Sequence, residues 1–172
     1  MFTKIDLCTM ALLKLGEKPI QSLTDDGAAA QLARTLFDVT IDALLSLHPW
    51  RFATRTIELV KNTDGNFLIP ADVLRITKCS GDVRGNRIYA PSKTLKIEAL
   101  TRVAPEMFPG YFASLAAAKL AVEFCMPLIG DTGVLRTMVA IYESELQSAK
   151  YLDSASCPTR GVGNFSLIDA RF

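Results

Sequence analysis

His48 is the only histidine of the chain, so a Ser–His or Cys–His mechanism would have to use it. Pro49 follows directly and biases His48 away from helical backbone angles, which predicts that a helix ends here. A ring at a helix C-terminus interacts with the last carbonyls, so its presence needs no catalytic explanation. A small hydrolase using His48 is one open hypothesis. The sequence favours instead a structural corner of His48, Pro49, Trp50 and Phe52, with Trp50 sealing the core; the alternative is a contact with a neighbouring subunit.

No other group of residues offers a recognisable catalytic or metal-binding pattern. The nucleophile elbow, the P-loop, the dinucleotide fingerprint and the HExxH zinc motif are all missing from the sequence. The Gly161-Val162-Gly163 run has no strand before it and no helix after it, so it indicates flexibility only. The cysteines form no CxxC pair: Cys8, Cys79, Cys125 and Cys157. We therefore expect no enzyme activity, no cofactor and no metal.

Basic side chains concentrate between residues 61 and 104. This segment has eight basic and four acidic residues, although the whole chain has a net charge of only +1. The candidates for a surface facing DNA phosphate or an acidic partner are Arg75, Lys78, Arg84, Arg87, Lys93 and Lys96. Lys and Arg also suit the solvated face of a half-buried sheet, where they protect edges. A small DNA-binding module is thus an alternative function, although near-neutrality argues against a general nucleic-acid binder.

Length and composition limit the class of protein. A chain of 172 residues favours one domain with a real core, and 49% apolar against 22% charged residues indicates extra burial in an assembly and excludes disorder. No window approaches 18 uninterrupted apolar residues, so we expect no membrane contact, and no signal peptide is evident. The isolated cysteines favour synthesis in a reducing cytoplasm.

Helical periodicity at both ends predicts the elements that position these residues. A first helix is predicted over Lys4–Leu15 and ends at Gly16. A second helix is predicted over Thr24–Leu47. Ser22 or Thr24 would cap it, and Asp25 and Asp26 would lie in its first turn. A third helix, Tyr111–Met126, is stopped by Pro127. The last helix is capped by Asp131 or Thr132, and its buried stripe comprises Leu135, Met138, Val139, Tyr142, Leu146, Ala149 and Leu152.

Between the helix pairs the period changes. Alternating and β-branched runs separated by turn formers predict four or five short antiparallel strands between residues 54 and 103. The expected fold is α+β: one domain over 1–153, with a four-helix body (1–53 and 104–153) and an antiparallel β insertion (54–103). Residues 154–172 have no period, and we expect an extended tail that orders on a partner.

The order of short signatures extends this interpretation. Leu15-Gly16-Glu17-Lys18-Pro19-Ile20 ends the first helix, and His48-Pro49-Trp50-Arg51-Phe52-Ala53 ends the second. After these signatures come, in order, Leu68–Ile76, Arg87-Ile88-Tyr89, the two apolar helices and the final run Leu167–Phe172. Together they resemble the tail tubular protein A-like head-to-tail connector (adaptor) proteins of tailed phages and prophages. The resemblance covers nearly the whole chain and depends on order and spacing, since no single motif is diagnostic.

The resemblance implies a structural role in the virion neck. Such proteins form a ring, typically of twelve subunits, below the portal protein, extend the DNA channel and carry the tail or nozzle protein. The β insertion would face the channel or the tail factor, with transient, non-specific contact with passing double-stranded DNA. The tail would dock on the portal or a neighbour through Phe165, Leu167, Ile168, Arg171 and Phe172.

Overall fold

A computed structural model of the chain describes residues 1–156. The predicted α+β class is confirmed, because these residues form four helices and two small antiparallel sheets. The helices are α1 (Lys4–Lys14), α2 (Ala28–Leu47), α3 (Gly110–Leu128) and α4 (Thr132–Ala155). The strands are β1 (Thr54–Val60), β2 (Phe67–Leu68), β3 (Val73–Lys78), β4 (Asp82–Arg84), β5 (Arg87–Tyr89) and β6 (Thr94–Thr101).

Local side-chain chemistry sets the limits of α1. The Thr3 hydroxyl accepts a hydrogen bond from the Asp6 amide, and the Asp6 carboxylate accepts one from the Thr3 amide. The Thr3 amide and the Thr3 hydroxyl both donate to the Asp6 carboxylate, and these two hydrogen bonds lower the pKa of Asp6. Gly16 follows the helix with φ of 76°, the left-handed conformation that the sequence predicts for the end of this helix.

The predicted start of α2 is wrong. The helix begins at Ala28 rather than Thr24, so neither Asp25 nor Asp26 lies in its first turn. The Asp25 carboxylate instead accepts hydrogen bonds from the amides of Gln21 and Ser22 and closes a turn ahead of the helix. An aspartate that accepts hydrogen bonds from the amides of preceding residues stabilises a turn and not the start of a helix.

The ends of α3 and α4 also differ from prediction. Pro127 lies within the last turn of α3 instead of stopping it, which is tolerated because only one terminal hydrogen bond is lost there. Asp131 caps α4 through the Gly133 and Val134 amides. The helix continues to Ala155, so the first two residues assigned to the extended tail are helical.

The strands number six and divide between two sheets, where four or five were predicted. The first sheet has the order β1-β6-β3 and the second the order β2-β5-β4. The additional strand is β4, which forms a hairpin with β5. Arg84 pairs with Arg87, so Gly85 and Asn86 are a two-residue turn, and Gly85 has φ of 59°. The Gly-Asn signal was treated only as a break between strands.

The two sheets enclose a small apolar core of their own, the β core: Leu59, Phe67, Ile88, Leu95, Ile97 and Ala99. Gly81 lies directly before β4 and beside β5 of the same sheet, where a Cβ would lie 2.6 Å from Ile88 Cγ2 and 2.9 Å from the Tyr89 carbonyl oxygen. A side chain does not fit there, so this glycine lets the chain enter β4 in contact with β5.

The main core, the body core, surrounds α3. This helix packs against α1, α2 and α4. The β1-β6-β3 sheet contributes Leu100 and the half-buried Leu74 to the same core, and Val103 joins it just after β6. By length and composition α3 could span a membrane, with a mean hydropathy of 1.3, but 56% of that window is buried inside the protein. Its apolar composition matches its position among three other helices.

Candidate functional site

The corner after α2 is organised around Trp50, whose side chain is completely buried. Its indole Nε1 donates a hydrogen bond to the Leu44 carbonyl oxygen at 2.8 Å. The ring packs edge-on against Phe112 of α3 at 5.1 Å and against His48 at 4.7 Å between centroids, and Phe52 extends the aromatic cluster. The Trp50 ring therefore joins the end of α2 to the central helix, with its one polar atom satisfied.

Asp153 of α4 connects the same corner to the last helix. It is 2% exposed and accepts hydrogen bonds from the Arg51 amide at 3.1 Å and from the Tyr111 hydroxyl at 2.8 Å. Its second oxygen lies 3.6 Å from His48 Nε2. Burial and the hydrogen bond to Asp153 raise the pKa of Tyr111, so the phenol stays protonated and acts as a donor. We call these four residues the Asp153 clasp.

Sequence reasoning missed Asp153 and predicted Leu152 as the last buried residue of the stripe. The structure exposes 45% of Leu152 and buries Asp153 instead. A usable signal existed, because Asp153 stands four residues after buried Ala149 and continues the apolar stripe at helical spacing. An acidic residue on such a stripe indicates a buried hydrogen-bonding partner elsewhere in the chain.

The chemistry available to His48 is limited in the described part of the chain. Among the described residues it contacts the Asp153 carboxylate and the Trp50 ring, and no serine or cysteine is hydrogen-bonded to it. Cys8 is fully buried, and burial raises its pKa to about 12, so its thiol stays protonated. Within residues 1–156 no cluster of His, Cys, Asp or Glu could hold a metal ion. The geometry is that of a packed joint.

The predicted basic residues are all exposed, but most of them have close polar partners. Lys78 lies 2.9 Å from Glu98, Arg84 lies 2.7 Å from Asp82, and Arg87 lies 4.0 Å from Asp64. Arg75 donates to the Ser46 carbonyl oxygen at 2.9 Å, so its guanidinium is turned towards α2.

Lys93 and Lys96 have no ion pair among the described residues, although Glu58 stands opposite Lys96 in the β1–β6 register. The outer face of the β1-β6-β3 sheet therefore alternates charges of both signs. Such a face makes weaker contact with phosphate than an uncompensated basic patch.

Apolar side chains are exposed where α2 and α4 end. Leu47 is 49% exposed, Tyr151 72% and Leu152 45%. Leu47 precedes His48 and Leu152 precedes Asp153, and the 3.6 Å separation of His48 Nε2 from the Asp153 carboxylate shows that the ends of α2 and α4 lie side by side. We call Leu47, Tyr151 and Leu152 the joint patch.

The predicted docking residues of the tail, Phe165, Leu167, Ile168, Arg171 and Phe172, lie outside the described residues. No protein-family model matches the chain, and no curated protein matches it either.

Proposed function

We propose that this protein is a structural connector subunit of a tailed-phage neck. It would form a ring below the portal protein, extend the DNA channel, carry the tail or nozzle protein and have no enzymatic role. The proposal rests chiefly on the joint patch, whose apolar side chains are exposed among residues 1–156 beside the buried corner at Trp50. Association of identical subunits around an axis uses such a surface against a different surface of the next copy.

The finer arrangement of the fold supports the same proposal. The β region is inserted between two helix pairs that pack together through α3, and β3 and β6 contact α2. A unit with its own core beside the helices can line a channel or meet a tail protein while the helices make the ring contacts.

The charge pattern of the β region fits a channel through which DNA slides. The ion pairs Lys78–Glu98 and Arg84–Asp82 neutralise two of the eight basic side chains of residues 61–104 locally. Each uncompensated phosphate contact adds affinity and salt dependence, so a partly neutralised face binds DNA loosely. The same compensation makes a stand-alone DNA-binding module the weaker alternative.

The proposal is tested by measuring assembly alone and with the portal protein of the same phage. We expect mass photometry and electron microscopy to show a ring on the portal. The variant Leu152→Asp places a charge in the joint patch and should abolish the ring while leaving the subunit folded, because the side chain is exposed.

The matched control is Thr137→Asp, an exposed polar position of the same helix about four turns before Tyr151. It adds the same charge outside the joint patch and should assemble normally. A protein that stays monomeric with its portal, or a Leu152→Asp ring indistinguishable from the wild type, contradicts the proposed interface.

A further inference from the structure

The outer edge of β3 borders a groove of about 890 Å³ that is lined by both apolar and polar residues. Five consecutive residues, Val73–Thr77, line it. Successive side chains of a strand point to opposite faces, so five in succession can line one groove only if the groove runs along the strand's edge. The opposite walls are the segments around Leu68, which is 56% exposed, and Val83, which is 44% exposed.

This edge has no partner strand within residues 1–156. β3 pairs with β6 on one side only, since the sheet order is β1-β6-β3. An edge with free amides and carbonyls beside apolar walls accepts an extended segment through main-chain hydrogen bonds and side-chain burial. It is also the kind of edge that proteins cover to avoid aggregation.

Arg51 connects the end of α4 with a cavity beside β3. Arg51, whose amide hydrogen-bonds Asp153, lines a second cavity together with Ile76 and Thr77 of β3. Ile76 and Thr77 also line the groove, so the two cavities share these residues of β3. The described residues end at Ser156, three positions after Asp153.

The chain beyond Ser156 has the length and the side chains to fill the groove. Sixteen residues remain, which span on the order of 50 Å when extended. Phe165 and Leu167 alternate with Ser166, so an extended backbone would direct both apolar side chains to one face.

We propose that residues 157–172 of the same chain add a strand to the free edge of β3 and insert Phe165 and Leu167 into the groove. The contact is independent of the connector proposal. A portal protein or neighbouring subunit that binds the same apolar residues would compete with the groove for them.

Hydrogen exchange of the β3 amides in the full-length protein tests this assignment. The variant Phe165→Asp/Leu167→Asp places two charges on the face that enters the groove. We expect the outward β3 amides to exchange at least about tenfold faster in it than in the wild type, with the amides of α3 unchanged. The matched control, Ser166→Asp/Ala170→Asp, carries the same charge on the opposite face and should keep the wild-type protection.

Equal β3 exchange in all three proteins overturns the proposal. Protection that appears only at high protein concentration also overturns it, because the segment would then come from a second copy. Protection that is independent of concentration and lost only in the Phe165→Asp/Leu167→Asp variant supports it.

Discussion

The helical body and the β region are stabilised to very different extents by their own cores. The body core is built around fully buried aromatic residues, with Trp50 and Phe112 in edge-on contact. The β core has six buried residues beneath two three-stranded sheets. Sheets this small are marginally stable alone, so the β region depends on its attachment to the body through Leu100 and Val103. Damage to the body should therefore unfold both regions, whereas damage to the β core should stay local.

The largest expected effect is that of Trp50→Ala. Removing a fully buried indole from the joint of α2 and α3 should lower the free energy of unfolding by roughly 3–5 kcal/mol. Urea unfolding followed by circular dichroism should show both regions lost in one transition. The control Tyr151→Ala removes a ring that is 72% exposed and should leave unfolding nearly unchanged. If the two variants unfold alike while Trp50→Ala fails to assemble, Trp50 is an interface residue instead.

The second largest effect on the free energy of unfolding is expected for Asp153→Ala, which removes the hydrogen bonds between α4 and the residues after α2. The Arg51 amide and the Tyr111 hydroxyl lose their acceptor in a buried site, so we expect a loss of about 2–3 kcal/mol in unfolding free energy. Tyr111→Phe is the matched control: it removes one donor and leaves the carboxylate its other partners, so about 1 kcal/mol should be lost. An Asp153→Ala variant as stable as Tyr111→Phe would show that the clasp does not hold the helix end.

Gly81→Ala tests whether the β region can be damaged separately. The new methyl group would overlap Ile88 and the Tyr89 carbonyl, which should cost about 1–3 kcal/mol of local stability. Hydrogen exchange should accelerate in β4 and β5 while α3 keeps its protection. Gly110→Ala, where a Cβ meets nothing within 4 Å, is the control. Equal loss of protection in α3 would mean that the two regions unfold as one unit.

The smallest effect is that of Lys78→Ala/Lys96→Ala on the outer sheet face. Both side chains are exposed, so the unfolding free energy should change by less than about 1 kcal/mol. Binding to free duplex DNA, measured by fluorescence anisotropy, should be weak in the wild type and weaker still in the variant. Tight, strongly salt-dependent binding by the wild type would favour the DNA-binding module over the connector.

The sequence alone determined the features that depend on neighbouring residues. The glycine after α1 and a cap of α4 at Asp131 or Thr132 were predicted because left-handed backbone and N-cap hydrogen bonds are properties of a few consecutive residues, and the structure selects Asp131. The α+β class followed from the change of hydrophobic period for the same reason. The start of α2 was mistaken because Asp25 could satisfy amides on either side, and its choice of Gln21 and Ser22 was not visible in the pattern.

Only the tertiary structure decided which distant residues meet. Asp153 and Arg51 are 102 positions apart, and nothing local to either one specifies that hydrogen bond. The division of the strands into two sheets, the contact at Gly81 and the open edge of β3 likewise depend on how the strands pair across the β region. Hydrophobic periodicity indicates which side of a helix or strand is buried. Which other helix or strand covers that side depends on the packing of the whole chain.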